Sequence, residues 1–293
     1  MRDFDFLKPT SVDEASRMLA DLGEDCRVMG GGTALLLVMR QRMLNPSHVI
    51  AVDQIAALRG ISWDDGQGLR IGALSRHADL ACSDVIKTHH PVLAEMAAQV
   101  ANPQVRNQGT LGGNLCYGDP STDPPGLLMA LGAQVVLQSS RGQRVLSMEE
   151  FLLDFFATAI ESDELLVEVR VPPMAAGSHA QYTRFKRTAA EHRPLVSVSA
   201  VARLEQGHCQ DIRLVIGASV AVPRRISQAE QFLQDKRASA DIASQAAQIV
   251  AQAIEPLSDL RGSADYRREM VRVQTQRTLQ TLFARWGSPK ESA

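Results

Sequence analysis

Aromatic residues make up only 4% of the 293 residues, so the core has to rest on Leu, Val, Ile, Ala and Met. Cysteine is equally thin. Cys26, Cys82, Cys116 and Cys209 are widely spaced and form no CxxC pair, which leaves both a metal site and a disulfide framework unsupported. Four reduced thiols are the expectation. No apolar run approaches the roughly 20 residues of a membrane span. The opening MRDFDFLKPTS carries acids where an export signal needs an apolar core, so a cytoplasmic location is expected. An excess of one charge is also missing. A net charge of −2 gives no reason to expect nucleic acid or a membrane surface as partner. Finally, the glycine run GGGTALLL satisfies neither GxGxxG nor GxxxxGK[ST], and no lysine stands ready to reach a terminal phosphate. Phosphoryl transfer is therefore disfavoured.

What is present looks like an ordinary globular chain, 45% hydrophobic and 22% charged, of a length that suits two domains. Ser11 to Leu22 has apolar residues at helical spacing, a Thr10 or Ser11 N-cap and a closing Gly23. Cys26 to Met29 reads as a strand running into the glycines, Thr33 onward as a helix ending before Asn45-Pro46, and His48 to Val52 as a second strand. Short strands alternate with turns from Ile61 to Ile71. Helical spacing returns over 75–100, with Pro91 opening one helix. A glycine-rich segment, Gly109 to Pro125, precedes an apolar run, Leu127 to Leu137. Glu164 to Val171 alternates like a strand and ends at Pro172-Pro173. The small, flexible MAAGSHA that follows marks a domain boundary near residue 175. Beyond it come two strand-like segments, SVSAVARL and IRLVIGAS, and helical patterns over about 228–256 and 263–286.

Glycine lets a chain take positive φ and lets backbone N–H groups approach an anion with no Cβ in the way. A helix starting near Thr33 would add free N–H groups and a partial positive charge. The second cluster, Asn107-Gln108-Gly109-Thr110-Leu111-Gly112-Gly113-Asn114, adds a hydroxyl and an amide. Either cluster alone could be no more than a tight turn. Two of them suit a diphosphate bridge held between two backbone nests, as in a dinucleotide such as FAD.

Gly30-Gly31-Gly32-Thr33-Ala34-Leu35-Leu36 resembles the first FAD loop of the flavoprotein (medium) subunits of molybdenum hydroxylases, the family of carbon monoxide dehydrogenase and the flavin domain of xanthine dehydrogenase. Val105 to Asn114 resembles the second loop. The likeness continues through Asp119-Pro120-Ser121-Thr122-Asp123-Pro124-Pro125, Asp163 to Pro172, and Gly262-Ser263-Ala264-Asp265-Tyr266-Arg267-Arg268, and so spans nearly the whole chain.

The resemblance implies an α+β protein. A flavin domain of the PCMH/vanillyl-alcohol-oxidase type, with two α/β subdomains, would occupy residues 1–175. A smaller carbon monoxide dehydrogenase flavoprotein-like α+β domain, with an antiparallel sheet and helices, would occupy 176–293. Backbone groups of Met29, Gly30, Gly31, Gly32, Thr33, Ala34 and Leu35, and of Gly109, Thr110, Gly112, Gly113 and Asn114, would hold the diphosphate. Asp123 would meet polar groups of FAD, while Val100 and Leu166 would supply apolar contacts. Lys186 aligns with a flavin-proximal lysine, or is an exposed strand lysine. Tyr117 is included as a neighbour of the second loop, while Tyr182 has no positional argument and is left out. Arg106 faces either the diphosphate or a surface acid.

No cysteine-rich insertion for an extra iron–sulfur cluster is present, so FAD is the one cofactor expected on this chain. The resemblance also implies two partner subunits, a large one carrying molybdenum-pterin and a small one carrying [2Fe–2S] clusters, in a dimer of heterotrimers. The implied role is electron transfer from those clusters to an external acceptor. A self-sufficient flavin oxidoreductase of the same superfold is the alternative.

Overall fold

The computed structural model describes residues 3–287. The chain divides into two compact units, Met1–Asp119 with Ala133–Pro173, and Pro120–Gly132 with Met174–Ala293.

The first unit begins with a three-stranded parallel sheet. Strands β1 (Asp5–Leu7), β2 (Cys26–Met29) and β3 (His48–Ala51) lie in the order β1-β3-β2. β1 has no counterpart in the sequence reading, because three residues are too few to show a period. Helix α1 (Val12–Leu22) is capped by Ser11, whose Oγ accepts from the Glu14 N–H at 3.1 Å, and it ends at Gly23 with φ +55°. The amphipathic spacing is realised in packing. Ala15 and Leu19 are buried with Cys26, Ile50, Val52 and Ile55 in one core. Between β2 and β3 runs α2 (Leu35–Arg40), six residues long. It is shorter than TALLLVMRQRM suggests. Thr33 and Ala34 form a turn instead, and Arg42 breaks the far end with φ +61°.

The rest of the first unit is built on a five-stranded antiparallel sheet with strand order β4-β5-β10-β6-β7. Its strands are β4 (Ile61–Asp64), β5 (Gly68–Gly72), β6 (Gln134–Ser139), β7 (Gly142–Ser147) and β10 (Leu165–Val171). Five helices follow β5: α3 (His77–Cys82), α4 (Asp84–His89), α5 (Pro91–Gln99), α6 (Pro103–Gln108) and α7 (Leu111–Tyr117). The glycine-rich segment is thus largely helical. Thr110 caps α7 through its Oγ1, which accepts from Gly113 N–H, and Gly118 closes it with φ +64°. α7 packs against the central strand β10. After β7 come α9 (Met148–Phe151) and a small hairpin of β8 (Leu152–Asp154) and β9 (Ala157–Thr158).

The second unit contains the stretch Pro120–Gly132, which the sequence reading places within residues 1–175. Its helix α8 (Pro124–Ala130) is buried throughout and packs on strands β12 (Val196–Glu205) and β13 (His208–Gly217). These strands pair with β11 (Ser178–Phe185) and β14 (Arg224–Arg225) in an antiparallel sheet of order β11-β12-β13-β14. The long helical pattern at 228–256 is interrupted, giving α10 (Ser227–Leu233) and α11 (Ala240–Ala253). α12 (Ala264–Gly287) covers the sheet. Val198, Ala200, Ile212, Leu214, Val250 and Leu279 are among its buried core.

Candidate cofactor site

The first glycine run leaves the carboxyl end of β2, where open α/β sheets place ligands. Gly32 takes φ +70°, so the chain passes through the left-handed region there, a conformation from which backbone nests are built. Among the described residues, none of the N–H groups from Gly30 through Ala34 donates to a protein acceptor; the next link is Leu36 N–H to the Gly32 carbonyl at 3.0 Å. Unpaired N–H groups on a partly exposed loop are available to an anion. A six-residue helix adds little field, so the nest itself is the anion-binding feature.

The two glycine clusters lie directly against each other. A Cβ on Gly31 would fall 1.9 Å from the Gln108 carbonyl oxygen and 3.0 Å from Gly109 Cα. One on Gly30 would meet Thr110 Oγ1 at 3.0 Å, and one on Gly109 would meet Thr33 Oγ1 at 3.4 Å. Glycine at 31 is required by backbone-to-backbone approach, a reason that no local pattern states.

The second cluster differs from the expected second nest. The N–H groups from Leu111 to Asn114 are already committed: Leu111 to Ser75 O at 2.9 Å, Gly112 to Ala73 O at 2.9 Å, Gly113 to Thr110 Oγ1 at 3.2 Å and Asn114 to Thr110 O at 3.0 Å. Gly112 is glycine because α7 presses on Ala73, whose Cβ would stand 2.7 Å from an added one. The pair is therefore one nest backed by a rigid helical platform. The platform still offers a polar group, since Asn114 Oδ1 is buried without a hydrogen-bond partner. Free amides beside an orphaned side-chain amide fit the polar diphosphate and ribityl portions of FAD.

Val100 caps α5 and is buried, and its carbonyl accepts from Arg106 Nη1 at 2.9 Å. Arg106 thus ties α6 to α5, corresponding to neither alternative in the sequence reading. Leu166 is buried in β10, beneath α7 and next to a register shift in the ladder. Tyr117, the last residue of α7, holds its ring 5.1 Å from that of Phe156. Burial pushes the Cys116 thiol up to about 12, which keeps it an unreactive packing group.

Asp123 and Lys186 belong to the second unit. Asp123 Oδ1 accepts from the Tyr182 hydroxyl at 2.5 Å, and Oδ2 lies 3.3 Å from Arg184 Nη1. Both carboxylate oxygens thus have protein partners. Burial raises its pKa to about 6, against the opposing pull of Arg184 and the Tyr182 hydrogen bond. The sequence reading leaves Tyr182 out and does not single out Arg184, although their spacing of two on β11 puts them on one face. Lys186 follows the end of β11, half-buried, with Nζ donating to the Ala189 carbonyl at 3.1 Å.

The sign of the Asp123 effect is definite. Its folded pKa lies above the ordinary aspartate value of 3.8, so burying the ion costs stability that is fully felt above about 6 and vanishes below about 3.8. Tyr182→Phe removes a donor to the ionised form and should raise the Asp123 pKa further. Carboxyl-carbon NMR titration measures this, and an unchanged or lower pKa would refute it.

Two family models match the chain: the FAD binding domain in molybdopterin dehydrogenase over residues 2–174, and the CO dehydrogenase flavoprotein C-terminal domain over residues 180–282. The chain is 37% identical to the 6-hydroxypseudooxynicotine dehydrogenase complex subunit alpha of Paenarthrobacter nicotinovorans, covering 99% of this chain and 97% of that one. It superposes on a chain of carbon monoxide dehydrogenase from Hydrogenophaga pseudoflava with a TM-score of 0.93 and 35% identity, over 97% of this chain and 98% of that one. A chain of quinoline 2-oxidoreductase from Pseudomonas putida 86 gives 0.92 at 30% identity, over 97% and 98%.

Proposed function

We propose, on the premise that this chain belongs to the family of FAD-binding medium subunits of molybdenum hydroxylases, that it is the electron-transfer subunit of a three-subunit dehydrogenase. It would receive electrons from [2Fe–2S] clusters on a small subunit, after substrate oxidation at a molybdenum-pterin site on a large one, and pass them to an external acceptor. We place the complex in the cytoplasm as a dimer of heterotrimers. Residues 1–175 would form the flavin domain and 176–293 the second domain, a division supported by where the two family matches end and begin.

The observation that carries this reading is the nest at Gly30 to Ala34, whose N–H groups have no protein acceptor among the described residues. These residues, with Met29 and Leu35 at the ends, would hold the diphosphate. Gly109, Thr110, Gly112 and Gly113 would support the nest from below, and the Asn114 amide would reach a ligand hydroxyl. Val100 and Leu166 would bound the site with apolar side chains. Asp123 and Lys186 are further proposed FAD contacts. When bound, FAD supplies the redox chemistry, while the protein contributes binding, orientation and electrostatics. This scheme requires no acid–base or nucleophilic group of the chain. The relatives are named for carbon monoxide, quinoline and 6-hydroxypseudooxynicotine chemistry, yet each is similar to this chain over nearly its whole length. Substrate choice therefore belongs to the large subunit.

Purification of the tagged chain from its native host tests the reading. Two further subunits, FAD, molybdenum and iron should be recovered together. Isolation as a lone flavoprotein whose FAD is reduced directly by a small substrate would instead establish a self-sufficient oxidoreductase.

A further inference from the structure

The loop from Gly30 to Ala34 offers an anion backbone amides but no charge of its own. Hydrogen bonds to an anion are strongest when the donor is itself charged. Arg106 is already spent, since its Nη1 donates to the Val100 carbonyl at 2.9 Å. Arg76 is not. It is exposed, and among the described residues its guanidinium takes part in no ion pair or hydrogen bond. Asp79 Oδ2 accepts from the Arg76 backbone N–H at 2.9 Å rather than from the guanidinium. Nor does local structure call for arginine here. Arg76 stands at the N-cap of α3, where its side chain makes no capping bond. A guanidinium has no acceptor with which to cap a helix, and serine, threonine, asparagine or aspartate is the usual choice. A residue that breaks a local rule without a compensating contact points to function.

The backbone fixes where Arg76 lies. His77 N–H donates to the Gly109 carbonyl at 3.1 Å, and Leu111 N–H donates to the Ser75 carbonyl at 2.9 Å. These two bonds flank an isolated antiparallel bridge between Arg76 and Thr110. Arg76 and Thr110 are therefore the non-hydrogen-bonded kind of pair. In such a pair the Cα atoms stand about 4.5 Å apart and the side chains leave on one face, side by side. Thr110 is itself seated on the first glycine cluster. A Cβ on Gly30 would lie 3.0 Å from Thr110 Oγ1, and 3.4 Å from Cδ2 of Leu74, two residues before Arg76. Arg76 thus emerges beside Gly30, on the face that Thr110 shares with the loop. Its flexible apolar stem carries the charged head well beyond its own backbone.

We propose that Arg76, a residue of neither glycine cluster, is the cationic partner of the diphosphate, closing over an anion that the Gly30 to Ala34 amides hold from the other side. This rests on the FAD-binding reading above and adds a charged residue to it. The planar guanidinium presents parallel N–H groups that match two phosphoryl oxygens, a fit that an ammonium group lacks. Its neighbour Thr110 cannot take that part, because its Oγ1 is occupied in accepting from Gly113 N–H. The missing helix cap is explained in the same way: an aspartate at 76 would cap α3 but would set a negative charge against the diphosphate.

The test measures FAD affinity of the full chain by equilibrium dialysis at several salt concentrations. Arg76→Gln should weaken binding about 30-fold, the loss expected for one charge-assisted contact. Salt screens an exposed ion pair, so wild-type affinity should fall as salt rises and the variant should show a flatter slope. Arg76→Lys keeps the charge and loses the planar fork, and should retain the slope at intermediate affinity. Melting temperatures of the three FAD-free chains should coincide, because the guanidinium has no protein acceptor to lose. An Arg76→Gln chain with wild-type affinity and slope overturns the proposal. So does a weakened one whose FAD-free melting temperature falls while its salt slope is unchanged, which would make Arg76 a structural residue. A wild-type chain that binds no FAD overturns the proposal together with the reading beneath it.

Discussion

Gly31→Val should abolish FAD retention, weakening binding by at least 100-fold, while the second unit stays folded. The Cβ alone would sit 1.9 Å from the Gln108 carbonyl oxygen and 2.7 Å from its carbon. Neither partner is a flexible side-chain end, so the two glycine clusters must part, and the nest loses its backing. A displacement of about 1 Å is enough to spoil hydrogen bonds that need roughly 2.7–3.2 Å contacts. Equilibrium dialysis against FAD measures the loss, and hydrogen exchange at β12 and β13 reports the second unit. Gly66→Ala is the control, since its Cβ would meet only Asp64 Oδ1 at 3.4 Å. Gly112→Val should behave differently. Its clash is with Ala73 beneath α7, so it should lower the melting temperature of the first unit as well as flavin content. Full FAD occupancy in Gly31→Val would show that the junction of the two clusters is dispensable for binding.

Arg267→Met should destabilise the second unit by about 3 kcal/mol, the cost of orphaning a buried acceptor plus the loss of a charge-assisted bond. Arg267 is only 1% exposed and lies at the start of α12. Its Nη1 donates to the Leu195 carbonyl at 3.2 Å and the Ala218 carbonyl at 3.1 Å, while Nη2 pairs with Asp259 at 2.7 Å. Leu195 O keeps a second donor, Ser219 Oγ at 3.0 Å. Ala218 O is the acceptor left bare, at a residue whose own φ is +60°. Methionine fills similar volume without restoring any of these bonds.

The same substitution has a pH signature. The Asp259 carboxyl is held down to about 2 by the Arg267 hydrogen bond, the Arg261 N–H and both guanidinium charges, which outweigh its desolvation. A depressed folded pKa contributes stability that is present above 3.8 and lost as pH falls through about 2. Asp259 is 42% exposed, so solvent screening keeps that contribution modest. Removing Arg267 should flatten the acid limb of the stability curve in this window. Chemical denaturation at several pH values measures both effects, and a neutral result at pH 7 would dismiss Arg267 as a structural pin.

The family-like segment Gly262 to Arg268 thus has a physical meaning that its letters do not carry. It places a guanidinium where the ends of β12 and β13 expose carbonyls to the start of α12. The same contrast runs through the whole molecule. Helix α1 was legible because amphipathic spacing, a serine cap and a terminal glycine all fall within a dozen residues. β10, β12 and β13 were legible because alternation reports itself locally. The two glycine clusters could be recognised as a pair, and their likeness to an FAD-binding family stood in the residue order.

Other features required the folded chain. β1 is too short to have a period and exists because β3 offers it a parallel edge. The break between α10 and α11 follows Asp235, at φ +60°, where a continuous helical pattern gave no warning.

By itself, then, the sequence determined the longer periodic elements such as α1, β10, β12 and β13, where the glycines lie and which family the chain resembles, because propensity, periodicity and turn chemistry act over a few neighbouring residues. Only the tertiary structure decided that Gly31 must lack a Cβ against Gln108, that the N–H groups from Leu111 to Asn114 are already committed, and that Arg106 serves the Val100 carbonyl. It likewise decided that Asp123 meets Tyr182 and Arg184. Each of these depends on which donor and acceptor come within about 3 Å across long sequence separations, and no local pattern sets that distance.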